Sequence, residues 1–247
     1  MTRFHLARGA VDGDRVAFDS AAAHHLGRVL RAAVDDIIQA VDASGQLLSV
    51  RLTAIAARRA EGVVVHRAPL ATESPLDLTL AQAIPKGDKM EHVIRMATEL
   101  GVSRVIPLVT ERTVVRLEPA RSDSRLARWR RVAREAAQQS GRAAVPEIVT
   151  PRQISAWPPD PPGGPGLLVC FWEEERRGLD SLLPPGPCPR ATVVVGPEGG
   201  LTGDEVGGLA RVGALVASLG PRLLRTETAG AVAVALLQAR YGDLGRG

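Results

Sequence analysis

The chain is poor in cysteine, in aromatic residues and in lysine, and each shortage excludes something. Cys170 and Cys188 are its two cysteines. They are too few and too far apart for a zinc quartet or a CxxC redox pair, and they read as buried thiols rather than as a disulfide. Aromatic residues make up 3%, which leaves no series of stacking platforms of the kind single-strand binders use. No apolar run approaches the ~18 residues that suggest a membrane span. The richest, Ala229 to Ala239, is interrupted by Gly230. Behind Arg3, His5 and Arg8 there is no apolar core of a signal peptide, so a cytoplasmic protein without a membrane partner is expected, and no metal site is predicted. What is present is ordinary for a soluble protein: 247 residues, 45% hydrophobic and 23% charged, enough for one large or two ordinary domains.

The charge is unevenly placed. Lys86 and Lys89 are the only lysines among 31 basic residues, and the net charge is +4. Eight arginines (116, 121, 125, 128, 130, 131, 134 and 142) face only Glu118, Asp123 and Glu135 between positions 116 and 142. A concentrated basic segment on a neutral body fits a polyanion such as nucleic acid, although a solvated helix face has the same look. Within it Leu126, Trp129, Val132, Ala133 and Ala136 recur at helical spacing. That stripe predicts a helix which buries Trp129 in a core and displays its arginines on the other faces.

Along the chain the pattern changes once. Residues 1–70 read as short strands and turns, with strands over Ile37 to Asp42, Leu47 to Leu52 and Gly62 to Arg67. A helix between Asp19 and Ala33 interrupts them and carries His24, His25, Arg28 and Arg31 at spacings that share a face. The polar stretch Pro69 to Pro75 looks like a linker. From 76 to 247 strands and helices alternate: strand Leu76 to Ile84, a helix ended by Gly101, and strand Val102 to Val109 form a βαβ unit, which implies a parallel sheet. Pro158 to Pro165 and Pro184 to Pro189 read as loops, and strands are expected at Leu167 to Trp172, Ala191 to Val195 and Ala214 to Leu219. Thr202 and Glu205 form a capping box for a short helix, and a terminal helix runs over about Thr226 to Tyr241.

Two turns carry the chemistry. Gly196-Pro197-Glu198-Gly199-Gly200 leaves the C-terminal end of a predicted strand, where open α/β sheets place ligands. It has neither the lysine of a P-loop nor dinucleotide spacing. Glu198 would repel a phosphate but accept hydrogen bonds from hydroxyls, an ammonium group or a nucleobase, so the ligand is neutral or partly cationic there. The second turn, Leu219 to Ala229, also joins a strand to a helix. Its Arg225 either binds an anion or pairs with Glu227 or another carboxylate, and the helix start offers free N–H groups.

The segments KGDKMEHVIRMATELGV (86–102), EAAQQSGRAAVPEI (135–148), VVGPEGGLTGDE (194–205) and LGPRLLRTETA (219–229), with HHLGRVLR (24–31) near the start, resemble the ribosomal RNA small subunit methyltransferase E family, collinearly over nearly the whole chain. The resemblance implies an α/β fold with a PUA-like β-barrel RNA-binding domain over 1–70. It also implies a SPOUT-class domain over 76–247 whose parallel sheet holds a deep trefoil knot, together with a homodimer. It further implies S-adenosylmethionine as methyl donor and N3 of a uridine in small-subunit rRNA as acceptor. Gly196, Pro197, Glu198, Gly199, Gly200, Leu219, Gly220, Leu223, Leu224 and Arg225 would then surround the donor. His24, His25, Arg28, Arg31, Lys86, Arg128 and Arg131 would face RNA, and Arg142 would sit near the active centre of its own or the partner subunit. Met96 stands where the family has lysine, and Thr113 stands where cysteine is common.

Methyl transfer from a sulfonium chiefly needs alignment of sulfur, methyl and nitrogen. The uridine N3–H must still lose its proton, or the charge on O2 and O4 must be stabilised. Arginine is too basic to accept a proton, so Arg142 and Arg225 are expected as charge stabilisers and Glu198 as the candidate base, with an equal claim as a fixed donor ligand. A non-catalytic RNA-binding assembly factor is the alternative, separated by its lack of donor binding. A nicotinamide-dependent oxidoreductase is disfavoured by the missing dinucleotide spacing.

Overall fold

A computed structural model of the chain describes residues 3–114, 119–157 and 166–246, and side chains 119–121 are outside that description. Arg116, Glu118, the Arg121 side chain and the loop expected at Pro158 to Pro165 therefore lie outside the described residues. The chain divides into two compact units, Met1–Glu73 with Ala137–Val145, and Ser74–Ala136 with Pro146–Gly247.

The first unit is built on β1 (Arg3–His5), β2 (Val11–Asp12), β3 (Arg15–Phe18), α1 (Ser20–His24), β4 (Ile37–Val41), β5 (Gln46–Ala56) and β6 (Arg59–Pro69). Their sheet has the order β1-β4-β5-β6-β3-β2. Among the described residues this pairing path runs from β1 at one end to β2 at the other. Alternation along the strands drives Leu48, Val50, Leu52, Ala60, Val16 and Phe18 to one side, where Phe4 and Leu26 complete the core.

The helix expected over Asp19 to Ala33 is shorter and mixed. Asp19 caps α1 by accepting from the Ala22 N–H, and the chain then widens into a π-helical turn at His25–Val29. The Leu30 N–H bonds the His25 carbonyl at 2.9 Å, and Arg31 has φ 52°, a left-handed conformation no helix continues. His24, Arg28 and Arg31 are all exposed here, although a π-helical turn and the left-handed Arg31 replace the continuous α-helix that was expected.

The stretch read as a linker begins inside β6, where Pro69 pairs with Gln46. It is also anchored: Glu73 Oε1 accepts the Ala143 N–H at 2.8 Å and the Ala144 N–H at 3.1 Å, and Thr72 Oγ1 accepts the Ala143 N–H at 2.9 Å.

The second unit contains β7 (Asp77–Ala83), α2 (Lys89–Glu99), β8 (Arg104–Val109), α3 (Pro119–Ser140), β9 (Glu147–Ile148), β10 (Arg152–Gln153), β11 (Leu167–Phe171), β12 (Arg190–Val195), α4 (Gly203–Arg211), β13 (Leu215–Ala217) and α5 (Thr226–Tyr241). The last residues of α3 group with the first unit. Every pairing in this sheet is parallel, in the order β10-β8-β7-β12-β11-β13 with β9 beside β8. The inner strands are buried on both faces, as a sheet covered by helices requires, and Leu78, Leu80, Val193 and Val194 have no exposure. On α3 the predicted stripe faces inward, with Leu126, Trp129, Val132, Ala133 and Ala136 all buried. Gly101 ends α2 at φ +87°, and Thr202 and Glu205 form both bonds of the capping box on α4. The connection after β13 is unusual. β13 lies outside β11 at the sheet edge, yet α5 packs on β12, β7 and α2. Residues 218–225 therefore carry the chain back across the end of β11.

Candidate functional site

Parallel strands bring their C-terminal ends to one edge, and the segments that leave them there enclose a cleft of about 530 Å³ in the second unit. Phe171 ends β11 and Trp172 and Glu173 follow it, Val195 ends β12 and Gly196 to Glu198 and Gly200 follow it, and Ser218 to Arg225 follow β13. Thr226 and Ala229 of α5 and Lys89 of α2 complete the wall. The volume falls in the range of about 300–1,000 Å³ usual for small-molecule sites.

The glycines of the first turn are required by contact. A Cβ on Gly196 would lie 3.0 Å from the Gly200 carbonyl carbon and the Leu201 nitrogen. Gly200 has φ +72°, and a Cβ there would run into the Glu173 carboxylate. The Gly200 N–H bonds the Pro197 carbonyl at 3.0 Å, closing the turn. Beneath it lies a buried polar clasp. The Thr226 hydroxyl donates to the Gly196 carbonyl at 2.6 Å, and Gln82 Nε2 donates to Thr226 Oγ1 at 2.9 Å and to the Ala83 carbonyl at 3.1 Å. The two cleft-forming segments are thus tied together through the first residue of α5.

Glu198 is held by cations. Its Oε1 accepts from the Lys86 backbone N–H and from Lys89 Nζ, both at 3.1 Å, and Lys89 Nζ also lies 3.4 Å from Glu227 Oε2. Burial would raise the Glu198 carboxyl, but the backbone N–H groups of Glu198 and Lys86 and the Lys89 ammonium outweigh it and hold the group below its ordinary value. The same contact with Glu198 raises Lys89. Glu198 Oε1 is therefore already engaged by two donors within the protein.

The expected donor residues Gly196, Pro197, Glu198, Gly200, Leu219, Gly220, Leu223, Leu224 and Arg225 all line the cleft. Gly199 does not. It lies under Arg112, whose Nη1 donates to the Gly199 carbonyl at 2.7 Å. Arg225 does not pair with Glu227, which Lys89 takes instead; it is exposed at the start of α5, its carbonyl accepting the Ala229 N–H at 2.8 Å. Arg142, expected near the active centre, is not among the cleft residues. It is 5% exposed in the first unit, and its Nε donates to Glu73 Oε2 at 3.2 Å. His24, Arg28 and Arg31 are exposed in the first unit, whereas His25 is half-buried with its ring edge-on to Phe4 at 5.5 Å. In the second unit Lys86 is exposed, and Arg128 is drawn onto Glu91 at 2.7 Å and Asp88 at 3.8 Å. Arg131 lies 3.8 Å from Glu135. Lys89, Phe171, Trp172, Glu173, Val195 and Ser218 are cleft residues that sequence reasoning passed over. Lys89 stood within the quoted 86–102 motif, while nothing local marks Trp172 or Glu173.

Comparison with known proteins shows which proteins the chain is similar to. Residues 72–238 match the RNA methyltransferase domain family. The chain is 32% identical over 213 residues to the ribosomal RNA small subunit methyltransferase E of Bacillus subtilis, spanning 83% of this chain and 82% of that one. To the protein of the same name from Synechocystis it is 35% identical over 226 residues, 91% and 73% of the two chains. Among solved structures, the Neisseria gonorrhoeae ribosomal RNA small subunit methyltransferase E bound to S-adenosyl methionine superposes with a TM-score of 0.86 at 32% identity, covering 98% of this chain and 99% of that one. A Legionella pneumophila methyltransferase with bound SAM gives 0.90 at 28% identity and the same coverage.

Proposed function

The chain belongs to the ribosomal RNA small subunit methyltransferase E family, and from that footing we propose that it transfers a methyl group from S-adenosylmethionine to N3 of a uridine in small-subunit rRNA. The observation that carries the proposal is the cleft itself, a nucleoside-sized volume closed by two glycine-bearing turns that leave β12 and β13, the strands on either side of β11 in the parallel sheet. Its donor set fits a sulfonium nucleoside. Bare backbone at Gly196 and Gly200 forms one wall, Phe171, Val195, Leu219 and Leu224 give apolar contact for a purine, and Glu173 offers a carboxylate to cationic or hydroxyl groups. S-adenosylmethionine bound there supplies an electrophilic methyl group.

The protein's own contribution is position and charge. The Gln82–Thr226–Gly196 clasp fixes the spacing of the two turns. Lys89 is kept protonated between Glu198 and Glu227 at the cleft wall, and with Arg225 it supplies positive charge toward the oxygens of a uridine losing its N3 proton. Glu198 serves as the acceptor that holds Lys89 and the 86 backbone, not as the base.

The return of the chain across β11 to α5 supports the trefoil knot of the SPOUT class. The sheet of the first unit supports a PUA-like RNA-binding role over 1–70, with His24, Arg28 and Arg31 displayed to rRNA. A second copy of the chain covers α5, which is apolar on nearly every side and leaves Ala231, Val232, Ala235 and Leu236 incompletely buried. The test is calorimetry with S-adenosylmethionine, followed by incubation with small subunits lacking the modification and nucleoside mass spectrometry. Donor binding and the appearance of 3-methyluridine are expected. Donor binding with no methylated uridine removes the activity, and RNA binding without donor binding returns the chain to the assembly-factor class.

A further inference from the structure

Three carboxylates stand at or beside the cleft, and they are not equivalent. Glu198 accepts from Lys89 at 3.1 Å, and Glu227 Oε2, which is buried without a hydrogen bond, lies 3.4 Å from the same ammonium. Glu173, the second residue after β11, has neither a hydrogen bond nor an ion pair among the described residues, although it lines the cleft and its carboxylate packs where a Gly200 side chain would stand. The residue before it is also unsatisfied: Trp172 Nε1 is buried with no acceptor, and Trp172 lines the same cleft. Consecutive residues at this wall thus carry a solvent-exposed carboxylate and a buried indole N–H, each without a hydrogen bond among the described residues.

We propose that Glu173 is the ribose-recognising carboxylate of this cleft, receiving the 2′- and 3′-hydroxyls of the nucleoside, with the Trp172 indole N–H serving a hydroxyl lone pair. The inference rests on the reading of the cleft as a site for S-adenosylmethionine. A vicinal diol is the ligand group that matches. It carries two donors for the two open oxygens of Glu173 and lone pairs for the indole, whereas an ammonium has no acceptor and a carboxylate is repelled. Acidic side chains select ribose hydroxyls in nucleotide-binding sheets by the same chemistry. The close approach of Glu173 to Gly200 gives that glycine a second reason: a side chain there would displace the carboxylate from the cleft.

The full-length chain is titrated by calorimetry with S-adenosylhomocysteine and with its 2′-deoxy and 3′-deoxy analogues. For the wild type, each missing hydroxyl weakens binding roughly tenfold to hundredfold, as expected for a hydrogen bond to a charged acceptor. For Glu173→Gln, the parent ligand weakens by a similar factor and the penalty for the deoxy analogues shrinks to a few-fold. Trp172→Phe weakens the parent ligand less than Glu173→Gln does. Equal affinity of Glu173→Gln and wild type for the parent ligand overturns the proposal, as does an undiminished deoxy penalty. So does a variant that binds normally and fails only in methyl transfer, which would make Glu173 the proton acceptor. A wild type that binds no S-adenosylhomocysteine removes the donor reading beneath it, an outcome distinct from all three.

Discussion

Replacing Thr226 by valine keeps the side-chain shape and deletes one oxygen, so it isolates the clasp under the cleft. That oxygen donates to the Gly196 carbonyl at 2.6 Å and accepts from Gln82 Nε2 at 2.9 Å, in a residue 5% exposed beside a glutamine with no exposure. Valine therefore leaves two buried polar groups short of a partner. The Gly196 carbonyl keeps only the weak contact from Gln82 Nε2 at 3.4 Å. Each lost bond costs about 0.5–1.5 kcal/mol, since both groups keep another partner, so Thr226→Val is expected to lose about 1–3 kcal/mol. At about 2–4 °C per kcal/mol for a chain of this size, the melting temperature falls by at least ~2 °C. Affinity for S-adenosylhomocysteine drops with it, because the two turns lose their common anchor, while Thr226→Ser retains the hydroxyl and stays near wild type. Melting curves with and without ligand for the three proteins read both effects. A valine variant that melts and binds like wild type refutes the idea that this clasp sets the cleft.

Further outcomes follow from other contacts. Thr202→Ala removes the cap of α4 and should cost about 0.5–2 kcal/mol, read as faster amide exchange at the start of that helix. Glu175 is brought down to about 2, from an ordinary 4.5, chiefly by its bonds with Arg177. A depressed carboxyl stabilises the fold above its unfolded value and loses that contribution as pH falls. Glu175→Gln should therefore flatten the loss of stability between pH 4.5 and 2, and an unchanged acid-unfolding curve would contradict the pairing. Burial pushes the Cys170 thiol up to about 12, with the charges of Glu173 and Glu205 adding to it. An alkylating reagent at pH 8 should then label Cys188 in the native protein and reach Cys170 only after unfolding. Neutralising Arg28 and Arg31 together should lower RNA affinity and the slope of its salt dependence, seen in binding isotherms at several salt concentrations, whereas neutralising Arg128, already held by Glu91, should change them less.

The sequence showed most clearly whatever is set within one turn or one strand. The stripe from Leu126 to Ala136, the Thr202 and Glu205 cap and the Gly101 stop are each specified by residues three or four apart, and each stands where its spacing puts it. Other features were hidden for physical reasons. β5 and β6 meet through Ala57 and Arg58, a two-residue turn without glycine, proline or asparagine, so the long hairpin had no punctuation to announce it. The π-turn after His24 has no residue signature at all. In the cleft, the backbone of both turns was readable because glycine and proline mark it. The charge partners were not: Lys89 reaches Glu198 across 109 positions, and which of several acids stays unpaired is decided by the fold. The same holds for Arg142, whose partner Glu73 sits in a stretch that composition assigned to a linker.

The crossing of residues 218–225 over the end of β11 governs the order in which this molecule is completed during synthesis. The early strands of the parallel sheet precede β13 and α5 in synthesis, so a nascent chain that stops short of residue 218 lacks the second cleft-forming turn, and one that stops short of α5 has both turns without the Thr226 anchor. The walls of the cleft are therefore complete only once α5 settles back onto strands made much earlier.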